Sequence, residues 1–265
     1  MSTIKDINII IAVYNQLDYT MQCFNYLRNY TDLPYQLIII DNGSTDGTAD
    51  YLKKVDARVI TNKENLGCAY AWNQGIKVSQ SGYKVIMNND ILVTPYWLGR
   101  LVKFMEKSRY GIVGPAIREG VLDYNLIEYA DSFSKRCKKA KRHEVFAACM
   151  LIKSEVFERV GFFDEQFIIG TFEDMDFLWR CQEKGIKTAT TGSVLVHHFS
   201  QITQKFLRPK GDFEYHLENE KKFINKWGRS PEGNWWQRRL NVLKRNVQKI
   251  YEKLIYGYNL IERIK

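Results

Sequence analysis

Four short polar clusters in this chain fall where apolar runs stop: Tyr14-Asn15, Asp41-Asn42, Asn65-Leu66-Gly67 and Asn88-Asn89-Asp90. A single cluster of this kind reads as a turn, because Asn and Asp side chains bond to nearby backbone. Four in succession, each behind a strand-like run, read as the polar rim of a parallel sheet, the edge at which open α/β folds hold ligands. The residue types suit a nucleotide. Tyr14 offers a flat face to a base, Asp41 can accept from a ring N–H, and Gly67 lets the backbone approach closely. No G-x-G-x-x-G follows the first apolar run and no G-x-x-x-x-G-K-[ST] occurs anywhere, which excludes the dinucleotide and P-loop modes of phosphate binding. Further along, Glu173-Asp174 sets two carboxylates side by side and His197-His198 two imidazoles.

The elements that must position these groups are legible as apolar periodicity. Residues 7–13 and 35–40 are nearly continuous apolar runs, as expected of strands buried on both faces, 84–87 is a short apolar strand, and 58–61 is another short strand. Between them, Leu17, Met21, Phe24 and Leu27 repeat at helical spacing, Ser44 or Thr45 is placed to cap a helix through about Lys54, and Asn65-Leu66-Gly67 opens a helix through about Ser79. Strand and helix alternate four times, which predicts a mostly parallel sheet with right-handed crossovers. Beyond Asp90 the rhythm loosens. A helix is expected from Pro95 to about Lys107, a strand at 111–115, an irregular stretch from Arg118 to Arg142, and a strand at 145–152. A helix from Ser154, another from Phe172 to Lys184, and two strands at 186–189 and 194–196 follow. Thr171-Phe-Glu-Asp174 also fits a capping box at a helix start, and Arg180 is spaced to pair with Asp176 one turn earlier.

Composition sets bounds. The chain has 265 residues with 45% hydrophobic and 26% charged residues, ordinary for a globular α/β protein. Its five cysteines show no C-x-x-C spacing, which argues against a disulfide framework and a zinc site and fits a reducing, cytoplasmic setting. No membrane-length apolar run and no signal peptide is visible. The net charge of +9 is concentrated in two places: residues 135–142 hold six basic residues and no acid, and residues 238–265 hold eight against two. A mildly acidic body with a basic loop and a basic tail suits local contact with phosphates or an anionic membrane surface, and no nucleic acid is expected as a partner.

Taken together, Ile11-Ala-Val-Tyr-Asn15, Asp41-Asn-Gly-Ser-Thr-Asp-Gly-Thr48, Asn65-Leu-Gly67 with Asn73-Gln-Gly75, Met87-Asn-Asn-Asp90, Glu173-Asp-Met-Asp-Phe-Leu-Trp-Arg180 and His197-His198 resemble the family 2 inverting glycosyltransferases with a GT-A fold. The resemblance covers about residues 5–205. It implies an α/β GT-A architecture with a Rossmann-like nucleotide-binding half over about 1–115 and an acceptor-side half over about 116–205. It also implies transfer of one sugar from a nucleotide-diphosphate donor, UDP- or dTDP-linked, to a glycan, lipid-linked glycan or protein. By that resemblance Ala12, Tyr14, Asp41, Asn65, Gly67, Asn88 and Asn89 surround the nucleotide. Asp90, the last position of the family's D-x-D, would hold a divalent metal, Mg²⁺ or Mn²⁺. Asn88 replaces the first acid of that motif, so metal affinity without donor should be weak. His197 falls at the family's metal-side histidine, although only one of His197 and His198 can face the crevice, since neighbours on a strand alternate. Asp174 matches the catalytic base.

Residues 206–265 are expected to form a basic amphipathic helical tail. Phe213, Leu217, Ile224 and Trp227 mark one helix, and Trp236, Leu240, Leu243, Val247, Ile250, Leu254 and Ile261 follow a three-four spacing. The tail would contact a membrane surface, at the inner face of the plasma membrane, or a second copy. The basic loop would lie on the acceptor side. Two other readings stay open: a sugar-phosphate nucleotidyltransferase, and a catalytically degenerate glycan-binding or scaffold protein in which Asn88 marks lost metal binding.

Overall fold

The computed structural model describes residues 6–200, 202, 214–231 and 233–263. Four parallel strands, β1 (Ile7–Val13), β2 (Gln36–Asp41), β3 (Arg58–Thr61) and β4 (Tyr83–Asn88), alternate with helices α1 (Leu17–Tyr30), α2 (Thr48–Leu52) and α3 (Cys68–Val78). The register puts Ala12 level with both Ile40 and Asn88, and Val13 level with Asp41. The polar strand ends therefore share one edge. Alternation along β1 divides the core into two layers. Ile9, Ile11 and Val13 pack with α1 residues Phe24 and Leu27 on one face, while Ile10, Ile38 and Ile40 pack with Trp72 and Ile76 of α3 on the other. Gly75 is required there, because a Cβ would run into the Ile10 side chain.

The second half adds β5 (Ile91–Leu92), α4 (Trp97–Glu106), β6 (Ile112–Glu119), α5 (Leu126–Cys137), β7 (Lys141–Arg142), β8 (Cys149–Lys153), α6 (Ser154–Val160), α7 (Glu173–Glu183) and β9 (Thr188–His198). Helices α8 (Glu214–Trp227) and α9 (Trp235–Tyr256) and strand β10 (Ile261–Arg263) close the described chain. The strands form one mixed sheet in the order β3-β2-β1-β4-β8-β6-β9-β5, with β10 beside β6 and β7 beside β9. Strand β8 runs antiparallel to β4 and to the start of β6, and β10 pairs in parallel with the end of β6.

Several expectations change. The stretch 118–142 is not irregular: it contains α5, whose Leu126, Ala130, Phe133 and Cys137 form a buried stripe and whose first amides, Ile127 and Glu128, donate to the Asn125 side chain. The basic cluster is the end of that helix plus β7. Arg142 is buried there against Glu252. The two expected strands at 186–196 are one, β9, with a bulge opposite Pro115 and Ala116. Ser44 and Thr45 do not cap α2, whose N-cap is Gly47. The tail is not an appendage to the sheet, since its residues Ile261–Arg263 supply β10. Phe213 and the expected boundary at 205–206 lie outside the described residues.

Candidate active site

The C-terminal edge of the sheet opens into a cavity of about 580 Å³, lined among others by Ala12, Tyr14, Asn65, Asn88, Asn89 and Asp90 from the first half and by Glu173, Asp174 and His198 from the second. A larger hollow of about 1310 Å³ lies at the opposite edge, where Asn8, Gln36 and Leu37 begin their strands. Ligands of open α/β sheets bind at the carboxyl ends, which points to the smaller cavity.

The nucleotide-side wall is built by asparagines. Asn15 sits in a left-handed conformation and ties β1 to the loop after β2: its amide donates to Ser44 Oγ at 2.9 Å, and its Oδ1 accepts from the Thr45 amide at 2.7 Å. Ser44 and Thr45 thus brace two strand ends instead of capping a helix. Asn42, Asn62, Asn65 and Gln74 form a side-chain network in which Asn42 donates to Asn65 Oδ1 at 2.8 Å and Asn62 donates to Gln74 Oε1 at 2.8 Å. Asn65 Oδ1 also accepts from the Gly67 amide. Tyr14 and Ala12 are half-buried on this wall. Asp41 is not part of the cavity lining. It is buried, and its Oδ1 accepts from the Ser44 amide at 3.0 Å, so its bond shapes the turn. Gly67, at φ +87°, is also set back. A Cβ there would stand 2.7 Å from the Ile169 amide nitrogen, so the close approach it permits is to a loop of the second half. Asn89 faces Thr20 Oγ1 at 2.9 Å.

Asp90 begins a chain of ionisable groups that is buried through His198 and Glu119 and ends at the exposed Arg263. Its Oδ1 lies 3.2 Å from His198 Nε2, His198 Nδ1 lies 2.9 Å from Glu119 Oε1, and Arg263 Nε donates to Glu119 Oε2 at 2.6 Å. The register of β5 against β9 sets this up by pairing Ile91 with His198. His197, the expected metal-side histidine, turns to the other face of β9, with Nδ1 2.9 Å from the Tyr124 hydroxyl. Strand alternation therefore turns His198, and not His197, toward Asp90. Burial works against a charge on His198, but Asp90 and then Glu119 raise it to about 9. Burial, then the charge of His198, depresses His197 to about 4. Burial also opposes charge on Glu119, yet His198 and Arg263 hold its carboxyl below the usual range.

These residues fit a weakly held divalent cation. No group of three or more His, Cys, Asp and Glu side chains suited to a metal occurs among the described residues. A hard cation nevertheless needs few protein ligands when phosphate oxygens and water complete its shell. Asp90 and His198 would be those ligands. Glu119 behind Nδ1 forms the carboxylate–imidazole pairing that orients metal-bound histidines. Coordination requires the neutral imidazole, so a cation at this point would take the place of the proton that His198 carries between two carboxylates.

Opposite Asp90, a strained loop delivers the carboxylate pair. Ile169, Thr171 and Phe172 all have positive φ, at 63°, 84° and 69°, immediately before α7. The capping box suggested by Thr171 is absent: Phe172 is the N-cap and no side chain caps it. Instead Asp174 Oδ1 accepts from the Met175 amide at 2.8 Å. Asp174 is half-buried, and Glu173 is buried with Oε2 lacking a hydrogen bond. Burial raises both carboxyls, and the neighbouring Asp174 raises Glu173 further. Three left-handed non-glycine residues cost of order 1–3 kcal/mol each and persist only where their surroundings over-determine them. Asn219 of α8, fully buried, does this. Its Nδ2 lies within 2.9 to 3.3 Å of the Ile168, Gly170 and Thr171 carbonyls, and its Oδ1 accepts from the Ile168 amide at 3.1 Å. The Cys68 amide binds the Ile169 carbonyl from the other side at 2.9 Å. Behind the loop, Asp176 accepts from Arg180 at 2.8 Å, as its spacing suggested, and from Trp227 Nε1 at 2.9 Å.

Glu119, Arg263 and Asn219 were not singled out in the sequence. Glu119 ends a strand that looked shorter, and the other two sit in a tail read as separate from the catalytic body.

Residues 8–161, more than half of the chain, match Glycosyl transferase family 2. The chain is 24% identical over 222 residues to Glycosyltransferase AglE of Haloferax volcanii, covering 78% of this chain and 72% of that one. It spans a third or less of the length of some other curated relatives. Two solved structures share the fold at a TM-score of 0.61: a mannosyltransferase from Pyrobaculum calidifontis in complex with GDP-Man and Mn²⁺ (18% identical, 87% of this chain and 67% of that one), and GalNAc-T7 with UDP, GalNAc and Mn²⁺ (15% identical, 75% and 44%). A GT-A-like sheet, a cavity at its carboxyl edge and the family match agree, and the chain belongs to glycosyltransferase family 2.

Proposed function

We propose that this glycosyltransferase moves one sugar, with inversion, from a UDP- or dTDP-sugar to the hydroxyl of a glycan, lipid-linked glycan or protein. The observation that carries the reading is that Asp90 and Asp174, 84 positions apart in sequence, line one cavity whose other wall carries Tyr14. The base stacks against Tyr14 beside Ala12, and the asparagine network fixes the wall around it. The sugar then lies between Asp90 and Asp174. Asp174, as carboxylate, takes the proton of the acceptor hydroxyl while that oxygen attacks the anomeric carbon from the face opposite the diphosphate. One displacement inverts the centre, and no covalent nucleophile is required. Burial lifts the basicity of Asp174, which improves it as a proton acceptor near neutral pH. A divalent cation held by Asp90 and His198 would neutralise charge on the departing diphosphate. Arg263, a cation on the lining beside Glu119, is placed to act on the same charge.

Incubation with UDP- and dTDP-sugars plus Mn²⁺ tests this. Slow donor hydrolysis is expected, with water as acceptor, and proton NMR should show the first-formed free sugar as the anomer opposite to the donor. Retention of configuration would overturn the mechanism. Absence of nucleotide binding at millimolar donor would favour a degenerate scaffold.

A further inference from the structure

Helix α9 is mounted with its apolar side outward. Leu240, Leu243, Val247, Ile250 and Leu254 follow one another at spacings of three and four, so they form one stripe, and each is 49–80% exposed. The body is met by the reverse side, where Gln248, Glu252 and Tyr256 stand one turn apart. Glu252, 3% exposed, accepts from Arg142 Nε at 2.7 Å, from Arg142 Nη2 at 2.8 Å and from the Leu260 amide at 2.9 Å. Tyr256 packs with Tyr258 and Leu260 onto the layer of Phe133 and Ala116. Surface helices ordinarily turn their apolar stripe inward. Rolling α9 over to do so would strip a buried Arg142–Glu252 pair of its partner, which is strongly unfavourable. The outward stripe is therefore fixed by the fold, and a contiguous apolar face of this kind belongs against a second apolar phase.

The charges around the stripe identify that phase. Helix α9 has six basic residues, Arg238, Arg239, Lys244, Arg245, Lys249 and Lys253, and one acid, Glu252, which is the buried anchor. On a helical wheel Arg239 and Lys244 flank the stripe on either side. Two copies packed stripe to stripe would bring these cationic flanks together, with no exposed acid on the helix to answer them. An anionic bilayer meets both requirements: hydrocarbon receives the aliphatic stripe and lipid headgroups receive the basic rim. No helix of the described residues is long and apolar enough to cross a membrane, so contact would be in the plane of the surface. We infer that α9 is the docking face of this protein on an anionic lipid surface. Only six residues separate Tyr256 from Arg263 on the cavity lining, so docking would bring the active site close to that surface.

Vesicle flotation of the full chain tests the inference independently of the transfer reaction. Binding to phosphatidylcholine vesicles containing phosphatidylglycerol should be at least about tenfold tighter than to phosphatidylcholine alone and should weaken at high salt. Leu243→Glu with Leu254→Glu, both on exposed positions, should abolish binding while thermal melting and UDP affinity stay unchanged. Equal binding to neutral vesicles would overturn the charge argument. A stable dimer in light scattering that the same double variant disperses, without vesicle binding, would show that a second copy covers the stripe and would overturn the inference. A monomer that ignores both vesicle types would overturn it equally.

Discussion

Replacing Asn219 with Leu removes the clamp on the loop before Asp174 without removing volume. In the native chain the Asn219 amide serves three carbonyls and one amide of residues 168–171 inside a fully buried site. Each such bond is worth about 1 kcal/mol net, and each buried backbone group left without a partner costs about 1–3 kcal/mol. Against this, relaxing Ile169, Thr171 and Phe172 to ordinary φ would recover roughly 1–2 kcal/mol per residue. The balance then favours a rearranged loop, and Asp174 loses its position. If the productive arrangement falls about 2 kcal/mol above the relaxed one, kcat for donor hydrolysis drops about thirtyfold. The nucleotide wall of Ala12, Tyr14 and Asn65 is built by other elements, so UDP affinity by calorimetry should change less than about threefold. Asn219→Asp, which keeps the shape but aims an acceptor at three carbonyls, should be as poor. Asn219→Leu with hydrolysis within twofold of native, or with UDP affinity and kcat lost in parallel, would refute the clamp.

Other consequences follow from the same contacts. Because burial raises both the Glu173 and Asp174 carboxyls, the acid limb of donor hydrolysis should lie above the ordinary carboxylate range, with rate rising as the pair deprotonates; a limb near pH 4 would contradict this. Raised carboxyls bind protons more tightly when folded, so their stabilising contribution is complete below about pH 4 and is lost as pH climbs through the raised values; nucleotide-free Asp174→Asn should therefore lose less stability between pH 5 and pH 8 than the native chain in denaturant titrations. Glu252→Gln breaks a pair whose side chains are 4% and 6% exposed and should cost roughly 3 kcal/mol in urea unfolding, whereas a change under about 0.5 kcal/mol would mean that the tail contributes little to the fold. Arg263→Ala should raise the donor KM about three- to tenfold with a smaller effect on kcat, and Arg263→Lys should restore part of it; no change in either would remove Arg263 from the site.

The nucleotide half was largely legible because each step depends on local signals. Continuous Ile and Val runs identify strands buried on both faces, and the polar residue that ends each run must then lie on a shared edge. The histidine was not legible. His197 and His198 differ by one residue, and which of them faces Asp90 depends on the pairing of Ile91 with His198, a contact spanning more than a hundred residues. Asp41 and Gly67 show a different limit. Their types were read as ligand contacts, yet one makes a turn bond and the other makes room for Ile169. Asn219 was invisible because it acts through backbone atoms of a distant loop, which leaves no pattern around it. Arg142 looked like one member of a basic loop, and only the fold reveals that Glu252 buries it. Removing residues 235–265, part of what the sequence presents as a helical tail, would strip Arg142 of its partner and β6 of β10.

The most direct test of the proposed chemistry is donor hydrolysis and UDP affinity measured together on Asp174→Asn in Mn²⁺. Hydrolysis should fall by at least about a hundredfold, because the carboxylate proposed to take the proton is gone, while UDP binds as it does to the native chain. Native hydrolysis in Asp174→Asn would show that this carboxylate does not carry the reaction.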